Sequence, residues 1–265
     1  MPEGDTVRRA CAQLEHHLAG QPLTVAELRW PTLAGTDLRG TTVVTVAAYG
    51  KHLLIRLDNG WTLHTHLRMD GRWAFVAPSG PSKVRYSPQT RVVLGTSEWL
   101  AVGLSLGMLD LVRTRDEHTL IAHLGPDIMA DDFDAEEAIT RLRAFSGTIG
   151  VALLDQTNLA GIGTFWAAEG LFVRRLDPWR PAGEVTADQL DALISWTRRT
   201  MLAALTTPIQ TSTGVSAPGR NSYVHGRHRQ ACRRCGTPIA VAQIGPPTKE
   251  RPMFHCPRCQ GVARD

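Results

Sequence analysis

The spacing of apolar residues in the first half of the chain changes from that of a helix to that of strands. Apolar side chains between Val7 and Leu18 recur every three or four residues, which predicts a helix over 5–19. From Thr41 the runs TVVTVAAYG, KHLLIRL and WTLHTHL are rich in β-formers, and short runs of this kind continue to about Val112. The first half is therefore predicted to be a β domain with one leading helix.

Helical spacing returns in the second half of the chain. The run DAEEAITRLRAF predicts one helix, and two apolar segments on either side of Gly161-Ile162-Gly163 predict two more. Thr186 and Gln189 form a capping box ahead of a further helix, and the Thr-, Ser-, Gly- and Pro-rich segment 206–230 is a predicted loop. The expected fold class is α+β, with a domain over 1–123, a linker over 124–134, a helical domain over 135–225 and a terminal module over 226–265.

Composition and charge narrow the function. The chain is 43% hydrophobic and 20% charged, which is typical of a soluble globular protein. Five charged side chains in the first twenty residues argue against a secretory signal, and no apolar run approaches the ~20 residues of a membrane helix. We expect a cytoplasmic monomer with no membrane partner. Residues 226–265 hold eight basic and two acidic side chains, which indicates a polyanionic partner.

Four of the five cysteines have the spacing of a metal site. Two Cys-x2-Cys pairs are separated by twenty residues, and they comprise Cys232, Cys235, Cys256 and Cys259. This pattern predicts one structural Zn²⁺ with four thiolate ligands and no open coordination position. The alternative of two disulfides is disfavoured in the cytosol. Cys11 lies on the apolar face of the first predicted helix and is expected in the core.

The amino terminus carries candidate chemistry. Removal of Met1 would expose the secondary amine of Pro2, which can attack a sugar carbon and form an iminium ion. The positive end of the first helix should disfavour the ammonium form of this amine, and Glu3 could transfer protons nearby. On these residues alone, proline as an ordinary helix-entry residue is the stronger interpretation.

The joint pattern of motifs changes that judgement. The segments MPEG, YGKHLLIRL, LLDQTNLAGIGTFWAAEGLF and RPMFHCPRCQ occur in this order along nearly the whole chain. Together they resemble the formamidopyrimidine-DNA glycosylase and endonuclease VIII family. The resemblance implies an N-terminal β-sandwich, a helix–two-turn–helix domain, a zinc finger and damaged DNA as the partner.

The resemblance also implies roles for single residues. Pro2 matches the family's nucleophile, Glu3 its general acid/base and Lys51 a lysine on a β-turn that reaches the active site. Arg251 matches a zinc-finger arginine that grips the phosphates flanking the lesion, and we expect it at the end of the finger's second strand. For Lys51 and Arg251 the alternative is a solvated surface side chain.

Further positions match DNA-contacting segments of the family. Gly161 and Gly163 match a turn whose backbone amides approach a phosphate, with an ordinary helix break as the alternative. Arg68 and Met69 match a loop that fills the gap left by an extruded nucleotide, with core packing as the alternative for Met69. Thr164 stands where relatives carry a phosphate-binding asparagine, and its shorter reach puts DNA affinity in doubt.

Other departures bear on the branch of the family. Asp5-Thr6 replaces the usual Pro-Glu, and His225 replaces a tyrosine before the zinc finger. The segment 104–107, LSLG, replaces the Arg-Arg-Phe-Gly run with which the formamidopyrimidine branch contacts the orphaned cytosine. The loss of this run, together with the MPEG start, favours the endonuclease VIII branch, and hence a glycosylase and lyase that removes oxidised pyrimidines by β,δ-elimination. The alternatives are a non-enzymatic binder of damaged or structured DNA and a glycosylase for oxidised purines.

Overall fold

The computed structural model describes residues 2–79 and 83–262, and it divides into two units. Met1, whose removal the sequence analysis expects, lies outside the described residues. Unit 1 comprises Pro2 and residues 6–123, and unit 2 comprises residues 3–5 and the chain from Leu124 onwards. The three residues that follow Pro2 therefore belong to the second unit.

Unit 1 contains a leading helix and two four-stranded sheets. Its elements are α1 (Gly4–Leu18), β1 (Val25–Leu28), β2 (Val43–Tyr49), β3 (His52–Leu57), β4 (Trp61–His66), β5 (Arg72–Val76), β6 (Thr90–Gly95), β7 (Leu100–Leu104), β8 (Met108–Arg113) and the short helix α2 (His118–Ile121). One sheet has the order β1-β6-β7-β5 and the other β2-β3-β4-β8, with antiparallel neighbours throughout.

The core of unit 1 follows the alternation of side chains along the strands. Val92 and Leu94 on β6 pack with side chains of the other sheet and of α1, whereas Val93 packs on the opposite face of its own sheet. In α1, Val7 and Leu14 are buried in this core. The predicted helix over 5–19 and the three predicted β-rich runs correspond to α1, β2, β3 and β4.

Unit 2 is helical and ends in a two-stranded hairpin. Its elements are α3 (Ala135–Ala144), α4 (Ile149–Leu154), α5 (Thr164–Val173), α6 (Ala187–Ala203), β9 (Ala240–Ile244), β10 (Arg251–His255) and the short helix α7 (Pro257–Gln260). Every residue of α5 from Thr164 to Phe172 is buried, so this helix forms the centre of the unit. The capping box of Thr186 and Gln189 is present at the start of α6. The predicted α+β fold class is confirmed.

Residues 124–134, predicted as a linker, lie with unit 2. Ile128 and Met129 are buried in the core of this unit, and Asp127 forms a backbone bridge with Ala160. The domain boundaries that the sequence analysis gives remain predictions.

Candidate active site and metal centre

Glu3 caps the central helix of unit 2. Its carboxylate accepts hydrogen bonds from the backbone amides of Phe165 at 2.7 Å, Gly163 at 2.8 Å and Trp166 at 3.2 Å. These are amides at the start of α5 that have no partner within the helix, so the carboxylate satisfies them and lies at the positive end of the helix dipole. The side chain is 1% exposed. The residue after Pro2 is therefore held in one position.

The glycines of the MPEG and Gly-Ile-Gly motifs are explained by close packing within unit 2. A Cβ on Gly163 would lie 2.5 Å from the Glu3 carboxyl carbon, and a Cβ on Gly4 would lie 3.1 Å from Cα of Gly161. The Gly4 amide donates to the Gly161 carbonyl at 2.8 Å, and Gly161 has a left-handed φ of 102°. The Gly161 amide donates to Gln156 and the Gly163 amide to Glu3. Both amides thus have partners within the protein, and their role toward a phosphate remains a prediction, as does that of the buried Thr164.

Asp5 makes a second attachment in the same region. Its Oδ1 accepts hydrogen bonds from the indole nitrogen of Trp166 at 3.1 Å and from the amide of Gln210 at 2.8 Å. Asp5 is fully buried. The departure from Pro-Glu after MPEG therefore introduces a carboxylate that fastens this segment to α5 and to the start of the 210–222 loop.

Glu169 is a buried acid that the sequence analysis missed. It accepts hydrogen bonds from the consecutive amides of Tyr223 at 2.6 Å, Val224 at 2.8 Å and His225 at 2.8 Å, and from the Ser212 hydroxyl. Burial raises the pKa of Glu169, although these hydrogen bonds favour its charged form. A single acid inside the apolar run TFWAAEGLF was the available signal.

Pro2 and Lys51 are the candidate reactive groups of unit 1. Pro2 is half-buried and precedes the first residue of α1 by two positions. Lys51 lies in the turn between β2 and β3, where Gly50 has a φ of 56°. Burial lowers the pKa of His66 to about 4, and the charges of Arg68 and then Lys51 are the next largest causes. The charge of Lys51 is therefore close enough to act on the His66 ring.

The loop after β4 presents an exposed apolar side chain. Met69 is 56% exposed, so packing of Met69 in the core is excluded. Arg68 has a left-handed φ of 54°, and its side chain covers Gly107, where a Cβ would lie 2.0 Å from Cγ of Arg68. Leu106, in the turn between β7 and β8, is buried in the core of unit 1. The LSLG segment therefore turns inward at Leu106, and it lacks the charged side chains of the Arg-Arg-Phe-Gly run.

The four cysteines of the predicted metal site converge in unit 2. All four sulfur atoms lie within 4.8 Å of one another, with Cys232 Sγ at 3.9 Å from Cys259 Sγ and Cys235 Sγ at 3.5 Å from Cys256 Sγ. A tetrahedron of Zn–S bonds of about 2.3 Å requires sulfur atoms about 3.8 Å apart. The donor set and its geometry fit one zinc ion, and all four positions are occupied by protein ligands. The site can therefore hold a metal but leaves no position for a substrate.

The arginines near this site fall into two groups. Arg227, Arg233 and Arg234 donate to backbone carbonyls, among them those of Tyr223 at 2.7 Å, Gly219 at 2.7 Å and Phe172 at 3.1 Å. These three side chains stabilise the fold. Their charge is visible in the sequence and their carbonyl partners are not, so the basic composition of 226–265 placed them in the predicted surface for a polyanion.

Arg251 belongs to the second group, whose side chains line a groove; like Arg233 and Arg234, it is exposed. It begins β10, so the expectation that it ends the second strand of the finger is wrong. With Lys249 and Trp179 it lines an open groove of about 840 Å³ within unit 2.

His225, which replaces a tyrosine of the family, packs inside unit 2. It contacts the rings of Phe165 and Phe254, and burial lowers its pKa to about 4.

Comparisons with known proteins identify the family. Residues 1–116 match the formamidopyrimidine-DNA glycosylase N-terminal domain, and residues 124–215 match the helix–two-turn–helix domain of the same enzymes. A solved formamidopyrimidine-DNA glycosylase of Lactococcus lactis, bound non-covalently to DNA with an abasic site, has a TM-score of 0.80 at 21% identity, over 97% of this chain and 99% of that one. This likeness confirms the fold.

Full-length relatives point to one branch. The chain is 43% identical to a probable endonuclease 8 2 of Streptomyces coelicolor, over 98% of this chain and 94% of that protein. It is 36% identical to the DNA-(apurinic or apyrimidinic site) lyase Nei2 of Mycolicibacterium smegmatis, over 98% of this chain and 99% of that protein. Among the described residues, no helix has the length and apolar character needed to cross a bilayer. The chain belongs to the formamidopyrimidine-DNA glycosylase and endonuclease VIII family, on its endonuclease VIII branch.

Proposed function

We propose that this chain removes oxidised pyrimidines from DNA through a Schiff base on the nitrogen of Pro2 and then cuts the strand by β,δ-elimination. Its family makes it a DNA glycosylase and AP lyase of base excision repair. One observation supports the proposed mechanism above all others. Glu3, the residue next to Pro2, is held in place because its buried carboxylate accepts three backbone amides. A nucleophile attached to a rigid segment loses little entropy when it meets its target.

The chemistry uses the secondary amine that Pro2 would offer once Met1 is removed. Attack of this nitrogen on C1′ of the damaged nucleotide forms a C–N bond, and the base leaves with the electrons of the glycosidic bond and takes up a proton. The proline nitrogen loses its proton, and the C1′–O4′ bond of the sugar ring then opens, with O4′ taking up a proton. The resulting iminium ion makes the C2′ proton acidic. Loss of that proton expels the 3′ phosphate, and a second loss, at C4′, expels the 5′ phosphate.

Glu3 and Lys51 are the groups that we assign to these proton transfers. The amides at the start of α5 stabilise the negative charge of Glu3, so its resting form is a base that also stabilises a cationic iminium nearby. Lys51 lies in the β2–β3 turn of unit 1, and we assign to its ammonium group the part of the proton donor. General acid/base groups of this kind speed reactions by ~10²–10⁴-fold.

DNA binding is assigned to the exposed side chains and the finger. Arg251 would bind backbone phosphate, and Arg68 and Met69 would occupy the gap left by the extruded nucleotide. Zn²⁺ on the four cysteines would supply the folding energy of a finger too small to bury a core of its own. The absence of basic side chains from the segment 104–107 supports pyrimidine over purine lesions.

Borohydride trapping tests the proposal. The protein is incubated with duplexes that carry an abasic site, an oxidised pyrimidine or an oxidised guanine, and covalent complexes are counted after reduction. We expect trapping on the first two, and the loss of most of it in Pro2→Gly. A variant with residues added before Pro2 should lose it too, because the amine becomes an amide. Trapping by the extended variant at the wild-type rate would exclude Pro2 as the nucleophile. A wild-type protein that binds damaged DNA but never traps it would be a non-enzymatic binder.

A further inference from the structure

Three histidines form a connected row on one face of the second sheet of unit 1. His64 on β4 lies opposite Asp110 on β8, and its Nδ1 is 2.9 Å from the Asp110 carboxylate. His64 Nε2 is 2.8 Å from His52 Nδ1 on β3. The ring of His52 in turn meets that of His66 edge-on, with 4.9 Å between centroids. The row therefore leads from Asp110 to the end of β4.

Burial keeps these rings uncharged. It lowers the pKa of His52 to about 3, with the neighbouring histidines as further causes, and it lowers the pKa of His64 against the opposing effect of Asp110. Burial, Arg68 and Lys51 lower that of His66 to about 4. A neutral imidazole has one donor and one acceptor nitrogen, so at neutral pH each hydrogen bond in the row fixes a tautomer.

The tautomers follow from the carboxylate, which can only accept. His64 donates to Asp110 through Nδ1, and its Nε2 therefore accepts the Nδ1 proton of His52. At the other end of the row, Nδ1 of His66 accepts the backbone amide of Arg68 at 2.9 Å. His66 thus carries its proton on Nε2, opposite to the other two rings.

The Arg68 amide is the point at which the chain turns to expose Met69. Arg68 adopts a left-handed φ of 54°, which costs energy for a residue with a side chain. The loop closes with a bond from the Gly71 amide to the Leu67 carbonyl at 2.9 Å, and a Cβ on Gly71 would lie 2.3 Å from that oxygen. Nδ1 of His66 stabilises the left-handed conformation of Arg68, because it accepts the hydrogen bond of the Arg68 amide.

We propose that the row of neutral imidazoles anchored on Asp110 positions the Arg68–Met69 loop for insertion into duplex DNA, with His66 as the positioning residue that acts through the Arg68 amide. The inference rests on the proposed function for the use of the loop on DNA. It adds that the geometry of the loop is set by the tautomer of a histidine that itself need not touch substrate.

A pair of substitutions separates this role from simple packing. His66→Asn keeps an acceptor that can reach the amide two residues on, whereas His66→Phe keeps a ring without an acceptor. Both are compared with Met69→Ala on one abasic-site strand, first in a duplex and then single-stranded. Only the duplex has a base stack to refill after extrusion, so only the duplex needs the loop.

We expect His66→Phe to lower kcat/KM for cleavage of the duplex at least tenfold, to match Met69→Ala, and to leave cleavage of the single strand within about threefold of wild type. His66→Asn should restore most of the duplex activity. Equal losses on both substrates, or no loss on either, would overturn the proposal. Failure of the proposed function is a different result, because the variant extended before Pro2 would then trap abasic DNA at the wild-type rate, or the wild-type protein would never trap it, whatever the state of the loop.

A measurement on the wild-type protein tests the proposal even if the His66 variants do not fold. Nitrogen-15 spectra of the imidazole rings at pH 7 distinguish the two tautomers and the charged form. We expect protons on Nδ1 of His52 and His64 and on Nε2 of His66. A doubly protonated His66, or a proton on its Nδ1, would remove the acceptor for Arg68 and refute the proposal.

Discussion

Replacing Gly163 with alanine would bring a methyl carbon into the buried carboxyl group of Glu3. The added Cβ would lie 2.5 Å from the carboxyl carbon of Glu3 and 2.7 Å from both Cγ and Oε1. Gly163 has a φ of −129°, a conformation that alanine adopts without strain. The effect of this substitution is therefore purely steric, and the Glu3 carboxylate must move away from the start of α5.

The magnitude follows from the hydrogen bonds that the movement breaks. Glu3 accepts three backbone amides, and a hydrogen bond to a charged group contributes about 1.5–3 kcal/mol. We expect one or two of these three hydrogen bonds to be lost while the carboxylate stays buried. The free energy of unfolding should then drop by about 3–5 kcal/mol, the range found when a buried charge loses its partner. The segment that carries Pro2 would loosen with it, so trapping of abasic DNA should fall as well.

Urea denaturation of matched variants measures this effect. Gly183→Ala is the control, because an added Cβ there would meet only the Arg143 carbonyl oxygen, at 3.4 Å. Its stability should change by less than about 1 kcal/mol. In Glu3→Ala the obstacle is gone, so adding Gly163→Ala to that variant should cost about 2 kcal/mol less than it does alone. Additive losses in the double variant would refute the steric contact between Glu3 and Gly163.

Three further predictions concern proton transfer, pH and DNA affinity. Glu3→Gln should lose excision of an oxidised pyrimidine but keep some cleavage of abasic DNA in nicking assays, and equal excision by both proteins would contradict its role. The free energy of unfolding should fall as the pH drops below about 6.5, by up to about 1.4 kcal/mol per pH unit for each of His52 and His66, because the unfolded chain then binds protons that the folded chain binds only below about 3 and 4. Between pH 7 and pH 5 this amounts to about 2 kcal/mol for each histidine, and urea titrations that give the same stability at both pH values would contradict it. Arg251→Ala should weaken the binding of damaged and undamaged DNA alike, and should reduce by about one the slope of log affinity against log salt concentration. Cys256→Ser should weaken DNA binding further as zinc content falls, and an unchanged slope in Arg251→Ala would make Arg251 a solvated side chain.

Features that depend on neighbours in the sequence were predictable. The apolar spacing of α1, the β-rich runs and the capping box of Thr186 and Gln189 all involve residues within a few positions of one another. The two Cys-x2-Cys pairs are likewise local, and zinc geometry then requires them to meet. In each case the physical cause operates over one or two turns of chain, so the sequence pattern contains it.

Contacts between distant segments were not predictable in the same way. Glu3 meets amides that lie 160 or more residues further along the chain, and Glu169 meets amides 54–56 residues away. A buried acid in a sequence shows only that some donors must satisfy it. Backbone amides leave no mark in the sequence, because every residue except proline has one, so the partners of these acids become visible only in the structure.

The packing of Gly4 against Gly161 shows what the structure adds to a motif. From the sequence, the glycines of the Gly-Ile-Gly turn are predicted to let the backbone approach a phosphate closely. The structure supplies an internal reason, since a Cβ on Gly4 would lie 3.1 Å from Cα of Gly161 and the Gly4 amide donates to the Gly161 carbonyl. A side chain at position 4 would therefore crowd the Gly-Ile-Gly turn, and the segment that follows Pro2 is held against the start of α5 even without DNA.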